Sequence, residues 1–403
     1  MLIHRIYQRS KPAHSEVRSS ANRCWRAGGR EWVCLLITLL VACPFNPWAI
    51  LTGRVTAQDW NQFSADNHDP SAMAELAKRL QAEVDLELTS VLEAMQGRST
   101  VARNWILSVA QTVADRDPAR SQTELMQFLQ RTSEDSMARY WAFSYVTRND
   151  SQLREQLLES MLADPCLELR YESVELALKR LAEADTQSPQ QKNDRYRELL
   201  SAARLPAQVQ QIAQLLKEQE QTVNLLEHFG FVAKWQAVGP FDNINQSAFD
   251  TIYGPEEDAI AGVNLSTRLY AGKSSQQVGW RPLETTQDDG AVDLNAPFEN
   301  SKGAIVYAMA DFRCASELEC EVRIGSPNAC KVWVNGQSAI SREVYHAGTQ
   351  IDQYTAPVKL KAGSNWVLVK ICQNEQTESW AQDWKFQLRF TDASGAAIER
   401  VQP

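Results

Sequence analysis

Apolar and polar residues alternate along this chain with two different periods, and the change falls at Trp235-Gln-Ala-Val-Gly-Pro-Phe-Asp-Asn243. Upstream, apolar positions recur at helical spacing. Ala72, Leu76, Leu80, Val84, Leu88 and Leu92 share one face and predict a long helix closed by Gly97. Further helices are expected at about 100–114, 121–131, 135–147, 151–163, 167–184, 194–203 and 206–219. Asp117-Pro118, Asn149-Asp-Ser151, Asp164-Pro165 and Ser188-Pro189 separate them. Proline lacks the amide hydrogen a helix interior needs, and Asp, Asn and Ser accept from the first free amides.

Downstream the period drops to two. Strands are expected near 263–269, 278–283, 304–314, 320–324, 330–335, 356–360, 366–372 and 384–391, separated by Gly and Asn turns. Trp384, Phe386, Leu388 and Phe390 point one way and Lys385, Gln387, Arg389 and Thr391 the other, as in a strand with one face buried. Residues 304–324 read as a hairpin with Cys314 opposite Cys320, Phe312 opposite Val322 and Ala310 opposite Ile324. In 331–335 and 366–371 both faces are apolar: Trp333, Trp366 and Leu368 stand opposite Val332, Val334, Val367, Val369 and Ile371. That second face needs cover, or it is a platform on which a sugar ring or partner stacks. Because almost no linker separates His228 from Trp235, the helical half is the expected cover. The expected fold class is α+β and multidomain: a leader over 1–57, an all-α region over 58–229 and an antiparallel β-sandwich over 230–403.

Charge changes the picture at the start of the chain. Of 41 basic and 50 acidic residues, the first 57 positions hold eight basic ones and only Glu16 and Glu31. With these set aside, 33 basic residues face 48 acidic ones and the net charge moves from -9 to -15. Such acidity without a basic stripe argues against a nucleic-acid partner, whose phosphates need Lys and Arg. The basic start leads into the apolar run 32–43, short of the roughly 20 residues a membrane span requires. It fits an export signal cleaved after Val55-Thr-Ala57, giving a periplasmic or extracellular protein. Alternatively, Leu40-Val-Ala-Cys43 is a lipobox, and lipidation of Cys43 would anchor the chain to a membrane.

Five of the eight cysteines follow the leader. In an exported chain, Cys314 with Cys320 and Cys330 with Cys372 are the disulfide candidates, and Cys166 is expected as a buried free thiol. No Cys-x-x-Cys pair exists and His68, His228 and His346 are isolated, so no metal site or cofactor is expected. No Gly-x-Ser-x-Gly, phosphate-loop or His-Glu-x-x-His pattern occurs either, and the acidic clusters at 256–258 and 288–289 read as solvated loops. No catalytic residue is assigned, and the chain is expected not to be an enzyme.

Val101-Ala-Arg103, Met137-Ala-Arg139 and Leu169-Arg170 each open an apolar helix after a turn. The stretch Asp164-Pro-Cys-Leu-Glu-Leu-Arg170 resembles the start of the second helix in a HEAT-type repeat, where Asp and Arg ladder between neighbours. In the second half, 235–243, Gly325-Ser-Pro-Asn-Ala-Cys-Lys-Val-Trp-Val-Asn-Gly336, Leu360-Lys-Ala-Gly-Ser-Asn365 and Gln373-Asn-Glu375 before Trp380 carry a second resemblance. They look like a galactose-binding-type jelly-roll module of exported planctomycete-type bacterial proteins, often preceded by HEAT-like helices. The resemblance implies binding rather than chemistry, with Trp333, Trp366, Tyr345 and Asn335 as the candidate ligand residues and a glycan or an envelope protein as partner. Related modules often place Asp-Asp-Gly before the Val-x-x-Asn-Gly strand, where paired carboxylates suit calcium; Pro327-Asn328-Ala329 stands here instead and gives calcium no support. The alternatives are a purely structural or protein-interaction role in the envelope, or an accessory part of a glycoside-active system.

Overall fold

The computed structural model describes residues 60–63, 69–183, 187–260 and 268–401. The expected leader, its cleavage site and Cys43 lie outside the described residues. Helices come first and antiparallel strands second, the two-part architecture that the periodicity predicts.

The helices are α1 (Pro70–Ala82), α2 (Leu88–Glu93), α3 (Thr100–Arg116), α4 (Pro118–Phe128), α5 (Ser136–Thr147), α6 (Ser151–Leu158), α7 (Leu167–Glu183), α8 (Pro189–Ala202), α9 (Pro206–Glu218) and the short α10 (Leu225–His228). The single long helix expected over 72–92 is two, because Glu83 turns extended and leaves Val84 82% exposed. Helices α4 and α8 start earlier than expected. Pro118 and Pro189 sit in their first turns, where no amide donor is required, and Asp117 and Ser188 cap them. Between neighbouring helices runs a ladder of ions. Arg103 donates to Asp135 at 3.1 Å while Asp135 caps α5 through the amides of Met137 and Ala138, and buried Arg139 grips Asp164 with both terminal nitrogens.

The strands form two facing sheets. One has six strands in the order β4 (Arg281–Glu284), β1 (Lys234–Asp242), β6 (Ala304–Cys314), β11 (Gly363–Gln373), β8 (Ala329–Val334) and β9 (Gln337–Arg342). The other has four: β10 (Tyr354–Leu360), β7 (Leu318–Gly325), β12 (Lys385–Thr391) and β5 (Val292–Asp293). A small ribbon pairs β2 (Leu269–Ala271) with β3 (Gln277–Gly279). Trp235, Phe312, Val322, Val369, Trp384, Phe386 and Phe390 fill the space between the sheets, with Trp235 edge-on to Phe386 at 5.0 Å.

The expected hairpin over 304–324 does not exist. Strand β6 pairs with β1 and β11, while β7 pairs with β10 and β12, so the chain crosses from one sheet to the other between Cys314 and Leu318. Cys314 and Cys320 belong to facing sheets, not to neighbouring strands, and both are free thiols. Cys330 and Cys372 do sit on paired strands, but Cys372 lies opposite Ala329 and Cys330 opposite Ile371. One residue of offset sends their side chains to opposite faces of the sheet, which no disulfide geometry spans. The disulfide expectation is therefore corrected: all five described cysteines, Cys166 included, are buried and unpaired.

Strand β12 is buried on both faces, not one. Trp384, Phe386, Leu388 and Phe390 enter the core as expected, while Gln387, Arg389 and Thr391 are 3%, 2% and 0% exposed on the other side. Arg389 explains the second burial: Asp352 chelates it through Nε and Nη2, and Nη1 donates to the carbonyls of Phe229 and Gly395. Arg323 joins the same carboxylate at 2.8 Å and also holds Glu321. Phe229 and Phe231, which lead out of α10, insert among Leu178, Leu199, Val209, Ile212 and Leu216 of the helical half. The helices thus dock at β12, not on the Trp333 face.

Candidate functional site

Three of the four expected ligand residues hold the fold together. Trp333 is 6% exposed and packs in a cluster with Phe249, Ala259, Val278, Tyr307 and Leu368. Its cover is the sandwich's own crossing segment between β1 and β4, which corrects the expectation of an interdomain contact. Lys370 fastens that segment from beneath: its fully buried ammonium donates to the carbonyls of Ala248, Phe249 and Thr251 at 3.0, 2.7 and 2.7 Å. Glu256 of helix α11 (Gly254–Ile260) lies 3.9 Å away and accepts from the Tyr307 hydroxyl. Trp366 is half-buried against the same cluster. Asn335 occupies the β8–β9 turn with Gly336, at φ of 50° and 85° that the turn requires, and its side chain bonds Asn365 and the Trp366 amide.

Tyr345, the fourth, packs against the same cluster from its loop end. The pairing register puts Asp242, Ala304, Ala329, Arg342 and Gln373 at one end of the six-stranded sheet, so the loops that follow β1, β9 and β11 meet there. Four buried amide side chains pin those loops. Asn243 donates to the Tyr345 hydroxyl at 3.1 Å and the Gln373 carbonyl at 3.0 Å, and accepts from Ala248. Asn328 donates to the Gln373 side chain and the Asp383 carbonyl and accepts from Lys385. Gln373 accepts from the Asn374 amide in turn. The residues quoted for the jelly-roll resemblance are thus, to a large extent, the pins of one loop end.

Above these pins stands Trp380, 62% exposed on the short helical turn Ser379–Ala381. The His346 ring meets it at 5.0 Å and 83°, so the two rings make a floor and a wall. Hydrogen bonding fixes the imidazole. Asn374 donates through Nδ2 to Gln376 Oε1 at 2.9 Å, which makes its Oδ1 the acceptor from Gln376 N and from His346 Nε2 at 3.0 Å. In the tautomer that donates from Nε2, the His346 Nδ1 is an acceptor, and Gln376 keeps its own amide hydrogens as donors. Burial pushes the Tyr345 phenol up to about 12, so it keeps its proton and can donate while accepting from Asn243. Lys302 donates to Ala381 beside Trp380 and is lowered by burial, while Glu375 accepts from the Asn245 amide.

This arrangement offers a flat apolar surface beside a donor, an acceptor and an amphoteric hydroxyl. That set suits a ring carrying neighbouring hydroxyl groups. It holds no nucleophile paired with a base. Among the described residues, no group of three or more His, Cys, Asp or Glu side chains is placed to hold a metal ion. Sequence reasoning missed Trp380, His346, Asn374 and Gln376 as a site. The available signal was an aromatic residue outside any alternation, inside the polar run 373–383.

No family model matches the chain, and no curated protein matches it. Among solved structures, a β-glucosidase from Kluyveromyces marxianus aligns with 31% of this chain and 16% of its own length, at 14% identity and a TM-score of 0.23. A likeness at that level bears on neither fold nor activity.

Proposed function

We propose that the chain is a non-catalytic, exported binding protein whose sandwich takes a carbohydrate at the loop end around Trp380, with the helical half as its scaffold. The observation that carries this reading is the exposed Trp380 ring, held at 83° to His346 over a bed of buried, fully bonded amides. A solvent-facing tryptophan on a rigid support loses little entropy on binding, and its face accepts the C–H groups of a sugar ring. What supports a HEAT-like reading of the helices is the Arg103–Asp135 and Arg139–Asp164 ladder.

A glycan array probed with the chain freed of its leader, followed by calorimetry on the hits, tests the assignment. Trp380→Ala is expected to weaken binding by at least tenfold while shifting Tm by less than about 2 °C, since the side chain is mostly in water. Binding that survives Trp380→Ala, or an array without hits beside specific capture of an envelope protein, would move the function to protein interaction.

A further inference from the structure

Where the helical half meets the sandwich, a cavity of about 280 Å³ opens on the side of Arg389 away from the core. Its walls come from both halves: Ser201, Ala203, Arg204 and Val209 from the helices, Arg389 and 395–397 from the sandwich, and His228 with Phe229 from the connection. Three basic side chains line it and no carboxylate does, in a chain of net charge -9. Arg389 is neutralised by Asp352, but Arg204 has no such partner. One of its terminal nitrogens, Nη1, caps the end of α8 through the carbonyls of Ser201, Ala202 and Ala203. Its Nε is buried without any hydrogen bond, and Nη2 makes none. Burial and then the charge of Arg170 lower Arg204, with Asp392 as the opposing charge; burial, then Arg204 and Arg389, lower His228. The cavity is thus a half-buried cationic pocket between apolar walls of Ala203, Val209, Phe229, Ala396 and Ala397.

We propose that this pocket binds a small oxyanion borne on a short apolar body, a carboxylate or a phosphate, which bridges Arg204 and His228 and so ties the helical half to the sandwich. A charge-assisted contact to Arg204 gives the anion its main hold, and the apolar walls accept its body. The site is separate from the Trp380 end and stands whether or not that end binds sugar.

The test uses the full chain at constant ionic strength, with benzoate and inorganic phosphate as probes and chloride as the control, read by thermal shift and calorimetry. Saturable stabilisation beyond chloride is expected. Benzoate as the tighter ligand identifies a carboxylate and phosphate as the tighter one a phosphoryl group. Arg204→Gln should raise Kd about 10- to 100-fold, the worth of one charge-assisted hydrogen bond. Ser201→Trp, at an exposed position on the cavity wall, should block entry with Arg204 intact, and it decides the matter if Arg204→Gln fails to fold. The proposal is overturned if neither probe exceeds chloride, or if Ser201→Trp binds as the parent does.

Discussion

Asp352 makes a quantitative test of how the two halves are joined. Its carboxylate takes Arg389 Nε at 2.7 Å and Nη2, and Arg323 Nη1 at 2.8 Å. Asp352→Ala leaves the two guanidinium groups in different positions. Arg323 keeps Glu321, while Arg389, 2% exposed, keeps the carbonyls of Phe229 and Gly395 and the rings of Phe229 and Phe231 but no carboxylate. Stranding a buried charge costs about 3 to 5 kcal/mol. Because Arg323 stays compensated, about 3 to 4 kcal/mol is expected for Asp352→Ala. Asp352→Asn, which keeps an acceptor but not the charge, should cost about 2 kcal/mol. Urea denaturation followed by circular dichroism measures both, with the slope unchanged if only stability has altered. The pH profile gives an independent check. Burial pushes the Asp352 carboxyl up, but the hydrogen bonds and charges of Arg389 and then Arg323 outweigh burial and hold it below the ordinary carboxylate value. A folded value below the unfolded one, about 3.9, means the contribution is fully present above that pH and is lost as pH falls through the folded value. The parent chain should therefore lose its advantage over Asp352→Asn only in strong acid. A cost below about 1 kcal/mol for Asp352→Ala, or an advantage that persists at the lowest pH, would refute the reasoning.

Other outcomes follow from the packing. Trp333→Ala should destabilise by about 3 to 5 kcal/mol through the cavity it leaves, and no sugar affinity should change; a neutral substitution would mean the face is open after all. Lys370→Met removes the cation from three carbonyls and from Glu256. It should cost about 3 kcal/mol and expose residues 248–256 to limited proteolysis, and unchanged protease resistance would count against the fastening role. Burial pushes the thiols of Cys166, Cys320, Cys330 and Cys372 up to about 12, so a thiol reagent should label the folded described core only as fast as it unfolds. Non-reducing peptide mapping that found a Cys330–Cys372 bridge would contradict the register.

Periodicity carried far in this chain because its strongest signals are local. The expected bounds of β6 match those observed, and most helix starts follow a visible cap. What periodicity could not supply was partnership. Residues 304–324 look like a hairpin because both strands are apolar on one face, yet the same pattern arises when consecutive strands belong to facing sheets that share a core. The tryptophans misled for a related reason. Trp333 has a regular strand environment, which marks it as a site only if its face is bare, and the segment that covers it reads as loop. Trp380 has no period at all, and its neighbours Asn374 and Gln376 become a site only through contacts with His346, 28 positions away from Asn374. Tyr345, expected as a ligand residue from the resemblance alone, reaches that end through its bond with Asn243 102 positions earlier, a tertiary contact that no local pattern shows.

The Lys370 fastening also bears on which substitutions the chain can absorb. With the crossing segment held down on one side and the second sheet on the other, every residue of β11 from Val367 to Gln373 is buried. Strand β10, at the edge of the other sheet, alternates between half-buried and exposed along most of its length. A systematic scan of polar replacements should therefore trace two different profiles in neighbouring stretches of sequence. Along 354–359 tolerance should rise and fall at every second position, whereas along 367–373 it should stay uniformly low. The sheet's period of two, written plainly in its backbone, would there vanish from the record of permitted variation.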